Sequence, residues 1–158
     1  MATKQRLVKL SLFAKRKSHL TEDEFHRHWT EKHRALVLDW LARHGIVKYT
    51  QRQRTAHRIP GRHAPADAVG QYHTHSSAAT AAIADFPALG GLKKLDFDGV
   101  GEFLMLDASC FQKAREDPYY EQFILPDENQ LFEWESAQWT VGWEEVYIKD
   151  GKIVEEEG

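Results

Sequence analysis

Residues 7–13, LVKLSLF, alternate, with Val8, Leu10 and Leu12 on one side and Leu7, Lys9, Ser11 and Phe13 on the other. A period of two describes a strand with one apolar face and one mixed face. A polar turn, KRKSH, follows, and then the period changes. Residues 21–24, TEDE, form a capping box in which Thr21 can accept from the Glu24 amide and Glu24 can reach back to the Thr21 amide. Phe25, Trp29, Leu36, Val37, Trp40 and Leu41 then recur at helical spacing. They predict a helix to about Arg43, stopped before Gly45. This switch from period two to helical period commits the chain to laying a helix stripe on a sheet face.

The rest of the chain repeats the theme. IVKYTQ (46–51), QYHTHS, GVGEFLML (99–106) and QWTVGWEEVYI (138–148) read as strands. SAATAAIA (77–84) favours a short helix ended by FPALGG, in which Gly90–Gly91 is a turn. Residues 109–123 read as helix broken at Pro118, DENQLFEW as short helix or loop, and KDGK as a tight turn into a short IVE strand. The order is β-α-β, a loop rich in Arg, His, Ala, Pro and Gly, then β-α-β. The expected class is α+β, a ferredoxin-like four-stranded antiparallel sheet with the helices on one face. The other sheet face must be covered, and a homodimer is the simplest way to cover it.

Composition narrows the function classes. A chain of 158 residues with 42% hydrophobic and 28% charged residues is that of one globular domain. A net charge of -3 gives no electrostatic reason to expect nucleic acid or an anionic membrane as partner. No apolar run approaches a membrane span, and MATKQRLVKL lacks the apolar core of a signal peptide. The single cysteine, Cys110, cannot make an internal disulfide and reads as a small core residue. A cytoplasmic, reducing location is expected. P-loop, Gly-rich dinucleotide and Ser-His-Asp signatures are absent from the sequence.

The stretch HRHWTEKH (26–33) raises the question of a metal. On a regular helix His26 and His28 point about 200° apart and cannot share an ion. His26 and His33 are two turns apart, and His73 and His75 lie about 6–7 Å apart along a strand. No HExxH or CxxC pattern occurs, so no metal is expected. His33 shares a helix face with Trp29, Val37 and Trp40, which should look toward the sheet. It is there either a core histidine bonded to a carbonyl or a group that moves protons near neutral pH. His26 and His28 are expected to be exposed, His28 the more so.

LTEDEFHRHWTEKHRALV, GIVKYTQ, FDGVGEF, EDPYYEQFILPDE and QWTVGWEEVYIKDGKIV occur in an order that resembles the EthD-domain proteins, in particular the fungal branch associated with aromatic polyketide clusters. The resemblance implies a dimeric α+β barrel and cofactor-free decarboxylation of an aromatic polyketide acid, of the atrochrysone carboxylic acid kind. A related cyclase or dehydratase is the alternative, and a non-catalytic binder of a flat metabolite is the alternative from another class. The resemblance also implies that residues 52–71 are an atypical insertion, since deleting them restores one strand, KYTQYHTHS. Trp29 and His33 match the helix signature W-x-x-x-H, which implies an acid/base role for His33.

On the restored strand Tyr49, Gln51, His73 and His75 share a face. His73 and Tyr49 are therefore candidates to polarise a carbonyl oxygen, with simple packing the alternative for Tyr49. Asp127 and Glu128 in ILPDEN resemble the acidic pair of the family, which implies that they orient a base or cap a helix; capping is the plainer role for Asp127, which is counted with the substrate-binding positions. Phe13, Trp29, Val37, Phe103 and Trp139 are the expected apolar walls.

Overall fold

The computed structural model describes residues 6–53 and 95–154. The expected strand QYHTHS with His73, the helix at 77–84, the turn at Gly90–Gly91 and most of the insertion lie outside the described residues. The elements below belong to one compact unit.

Strand β1 runs Leu7–Arg16, longer than expected because the basic residues after Phe13 continue the pairing. Helix α1, Glu22–Arg27, starts at the capping box, with Thr21 and Glu24 bonded reciprocally. A π-helical segment, π1, covers His28–His33, and α2 covers Arg34–Arg43. Gly45, at φ 80°, ends the helix. Strand β2, Ile46–Gln53, takes in the first two positions of the expected insertion. Strand β3 is Gly99–Met105 and helix α3 is Ser109–Glu116. A second π segment, π2, spans Tyr120–Ile124 and leads into α4, Leu125–Leu131.

Strand β4 covers Phe132–Glu144. It starts six positions before the expected 138, because FEWESA pairs with the extended end of β1 across a bulge. A small hairpin of β5, Ile148–Lys149, and β6, Lys152–Ile153, turns through Asp150 and Gly151.

The sheet order is β2-β3-β1-β4, and every pairing is antiparallel. This is the ferredoxin-like order. Val8, Leu10 and Leu12 sit opposite Met105, Phe103 and Gly101 and share the helix-covered face. Tyr49 and Gln51, opposite Phe103 and Gly101, extend that face into β2. The larger core joins Val8, Val37, Trp40, Met105, Tyr120 and Ile124. Trp40 donates its indole N–H to the Ala114 carbonyl at 2.9 Å, which ties α2 to α3. A second cluster gathers Ala14, Phe25, Trp29, Leu131 and Phe132 at the other end of the sheet.

The uncovered apolar surface lies elsewhere than expected. The face away from the helices carries Lys9 between Glu102 and Glu144, at 3.4 and 2.8 Å. Among the described residues a row of exposed apolar side chains lies on the helix side, along the far half of β4. Trp139, Val141 and Trp143 sit opposite Leu12, Leu10 and Val8 yet are 64%, 51% and 63% exposed.

Trp29 packs closely against the start of β3. A Cβ on Gly99 would stand 2.4 Å from the Trp29 ring, closer than atoms can approach. Gly99→Ala is expected to destabilise the protein by about 1–3 kcal/mol through overpacking, read as a lowered thermal midpoint. An unchanged midpoint would contradict the close contact.

Candidate active site

The π1 segment determines where the histidines of HWTEKH point. In an α-helix each residue turns about 100°, so positions five apart diverge by about 140°. The π turn bonds residue i to i+5, here the Arg34 amide to the Trp29 carbonyl. That wider turn brings His28 and His33 to the same side. His28 Nε2 lies 2.6 Å from Asp127 Oδ1, and His33 Nδ1 lies 2.9 Å from Asp127 Oδ2. The expectation that His28 is exposed is thereby corrected: its side chain is only 16% exposed. His26 is also half-buried, with Nε2 out of contact with water. Asp127 is not a helix cap either, because both its oxygens are taken by imidazoles.

Burial alone would raise the Asp127 pKa. The hydrogen bonds from His33 and His28, and their charge, outweigh it and hold the carboxyl below its ordinary value. An ionised carboxylate can only accept. Both ring nitrogens that touch it must therefore carry hydrogen. This assigns the proton of neutral His33 to Nδ1 and leaves Nε2 with its lone pair.

His33 is buried, and it borders two small lobes of one cavity between helix layer and sheet. One lobe, about 30 Å³, is walled by Leu12, Ala14, Trp29, Tyr49, Phe103 and Phe132. The other, about 20 Å³, adds Val37, Trp40, Leu41, Phe111 and Arg115. His33, Tyr49 and Glu128 line both lobes. Each lobe has room for about one water.

Tyr49 stacks on Phe103 with ring centres 5.0 Å apart. Its hydroxyl oxygen accepts from Gln51 Nε2 at 3.0 Å, so its own proton remains to be donated. Burial pushes its pKa up to about 12, against the hydrogen bonds from Gln51 and Trp29. Tyr49 therefore stays a neutral donor across the ordinary pH range. Glu128, 9% exposed, accepts the Tyr120 hydroxyl proton at Oε2, 2.8 Å away. Burial raises its pKa, and the donor Tyr120 and the nearby His33 and Arg115 only partly offset that. Adjacent residues of α4 thus hold opposite tendencies, one carboxyl pulled toward ionisation and the other away from it.

Of the residues singled out from sequence, His33, Tyr49, Trp29, Val37 and Phe103 meet at this cavity, and Asp127 stands directly behind His33. Phe13 is turned to the other sheet face, where it meets Phe97 at 5.3 Å. Trp139 is on the surface and lines neither lobe. His73 lies outside the described residues. Sequence reasoning missed His28 and Tyr120 as members of the site, His28 because regular helix geometry hid it. Glu128 was read only with Asp127, as part of an acidic pair that could orient a base or cap a helix. Among the described residues no group of three His, Cys, Asp or Glu side chains is arranged to hold a metal ion. Among them also, no helix is long and apolar enough to cross a membrane.

Comparison with known proteins places this geometry in context. The EthD domain profile matches residues 17–133. The chain is 27% identical to "Dehydratase aurZ" of Gibberella zeae over 94% of its own length and 84% of that protein's. It is 20% identical to "Decarboxylase claH" of Passalora fulva, over 95% and 84%. A crystal structure of an EthD-like protein from Ralstonia eutropha JMP134 aligns at a TM-score of 0.49 and 15% identity, covering 92% of this chain and 96% of that one.

Proposed function

The chain belongs to the EthD domain family, and we propose that it is a cofactor-free lyase that removes water from an aromatic polyketide ketone. One observation carries this reading: Asp127 holds His33 Nδ1, so that Nε2 is the nitrogen left to face the cavity. In this reading Nε2 takes a proton from the carbon beside a ring carbonyl. Asp127 stabilises the imidazolium that forms. The Tyr49 hydroxyl donates to the carbonyl oxygen as negative charge grows there. The hydroxyl on the next carbon departs as water, and the ring becomes aromatic. The apolar walls and the stacked Tyr49–Phe103 pair suit a flat substrate. Because the lobes hold only about 30 and 20 Å³, a ring system enters only as these aromatic side chains swing aside.

Decarboxylation is the second reading, favoured by the relative named a decarboxylase. There His33 enters as the imidazolium, paired with Asp127, and protonates the carbanion left by carbon dioxide. Mass analysis of products separates the two. A hydroxytetralone with its hydroxyl β to the ketone should yield a naphthol by loss of water, and the matching β-keto acid should not react. His33→Ala should lower kcat by about 10²–10⁴-fold, and Tyr49→Phe by about 10²–10³-fold. Loss of carbon dioxide from the acid would favour the second reading. Tight binding without turnover of either compound would support a binding protein instead.

The enzyme in this reading is a homodimer, in which a second copy covers Trp139, Val141 and Trp143. Exposed apolar rows of this kind mark contact surfaces, and a two-fold pairing would bury the same row on both copies. Sedimentation should give twice the chain mass; a monomer at micromolar concentration would contradict the pairing.

A further inference from the structure

The reading above leaves the departing hydroxyl without a proton source. Hydroxide is a poor leaving group, and the cavity walls exclude the bulk water that could protonate it. A group on the cavity surface with a proton to give would complete the reaction. Tyr49 is engaged at the carbonyl oxygen, and His33 arrives as a base. Glu128 is the remaining titratable group that lines both lobes.

Its position suits the task. It stands next to Asp127 on α4, so the residue that orients the base and the residue on the cavity surface are set by one helix turn. The Tyr120 hydroxyl holds Oε2, and the other oxygen can turn to the cavity. Tyr120 is itself fixed by stacking on Trp40 at 5.6 Å and by the Arg115 guanidinium 4.4 Å from its ring centre. The groups acting on Glu128 are Tyr120 from π2, His33 from π1, Arg115 from α3, and Asp127 from its own helix. Tyr49 faces the same cavity from β2.

We propose that the Glu128 carboxyl is a catalytic acid, giving its proton to the departing hydroxyl while His33 Nε2 takes the carbon-bound proton. The C–H pair becomes the new double bond, the C–O bond breaks, and its electron pair leaves with the oxygen as water. Glu128 ends as carboxylate and His33 as imidazolium, and the net transfer of one proton between them restores both. The assignment rests on the dehydration reading. The direction of the Glu128 shift agrees with it. A buried carboxyl whose pKa is raised keeps its proton at pH values where Asp127 has lost its own. The acid form is the working form, so activity should fall as pH rises through the Glu128 pKa.

The test uses the whole chain and the hydroxytetralone. Glu128→Gln keeps shape and hydrogen bonding but has no acidic proton. It should lower kcat by about 10²-fold or more with KM nearly kept. Tyr120→Phe removes a donor to the carboxylate, so the alkaline limb of kcat/KM should move to higher pH while turnover persists. Infrared spectra of wild-type protein with carbon-13 glutamate should show a carboxylic-acid band at the pH of greatest activity that bleaches on the same alkaline limb. The spectrum keeps the proposal testable if the Gln variant does not fold. A Gln variant within a few-fold of wild-type kcat, or a Glu128 ionised at the pH of greatest activity, would overturn it. Wild-type protein that forms no naphthol would instead remove the dehydration reading itself, before any variant is made.

Discussion

One carboxylate, that of Asp127, holds the site together by accepting from His28 on one oxygen and from His33 on the other. A half-buried charge needs such partners, because an unpaired carboxylate away from water is expensive. Two donors at 2.6 and 2.9 Å meet the need and set the tautomers of both imidazoles. The arrangement depends on a local departure from α geometry. In a regular helix the two imidazoles would diverge, and Asp127 could hold only one. The π turn costs regular hydrogen bonding and is uncommon, and such turns concentrate where function requires them. Here its return is geometric: two residues five apart reach one acceptor.

The second π segment has a parallel role. It delivers Tyr120 to Glu128 and leads straight into the turn that carries both carboxyls. The polar groups of the cavity come from π1, from the face of β2, and from α3 and α4 on either side of π2. Height above the sheet is set by contact at Gly99, where only a residue without a side chain lets Trp29 settle. The cost of this close fit is a cavity that holds little more than water until its aromatic walls move.

Much of this was written in the residues. Alternation in LVKLSLF, the TEDE box and the Phe25–Leu41 stripe gave the first strand and helix nearly to their ends, because periodicity and capping are local properties. The sheet order followed from β-α-β connectivity. His33 was singled out by an apolar helix face together with the W-x-x-x-H match, and Tyr49 by sharing a strand face with Gln51, His73 and His75; the structure brings the two to one cavity. Asp127 was read as either orienting a base or capping its helix, and the choice was not visible because it depends on two imidazoles about a hundred positions away. His28 was misjudged because a π turn leaves no mark in hydrophobic period. Phe13 and Trp139 failed as walls for different reasons. Phe13 has the opposite parity on β1, and Trp139 has the right parity but sits on a strand that runs past the helices. The early start of β4 was hidden because FEWESA pairs across a bulge.

The central claim is that Asp127 fixes His28 and His33 in opposite tautomers, so that His33 presents a basic Nε2 to the cavity. Nitrogen-15 NMR of the neutral imidazoles reads this directly. The account predicts the proton on Nε2 of His28 and on Nδ1 of His33, with Asp127→Asn abolishing the contrast. A spectrum in which His33 carries its proton on Nε2 would contradict it.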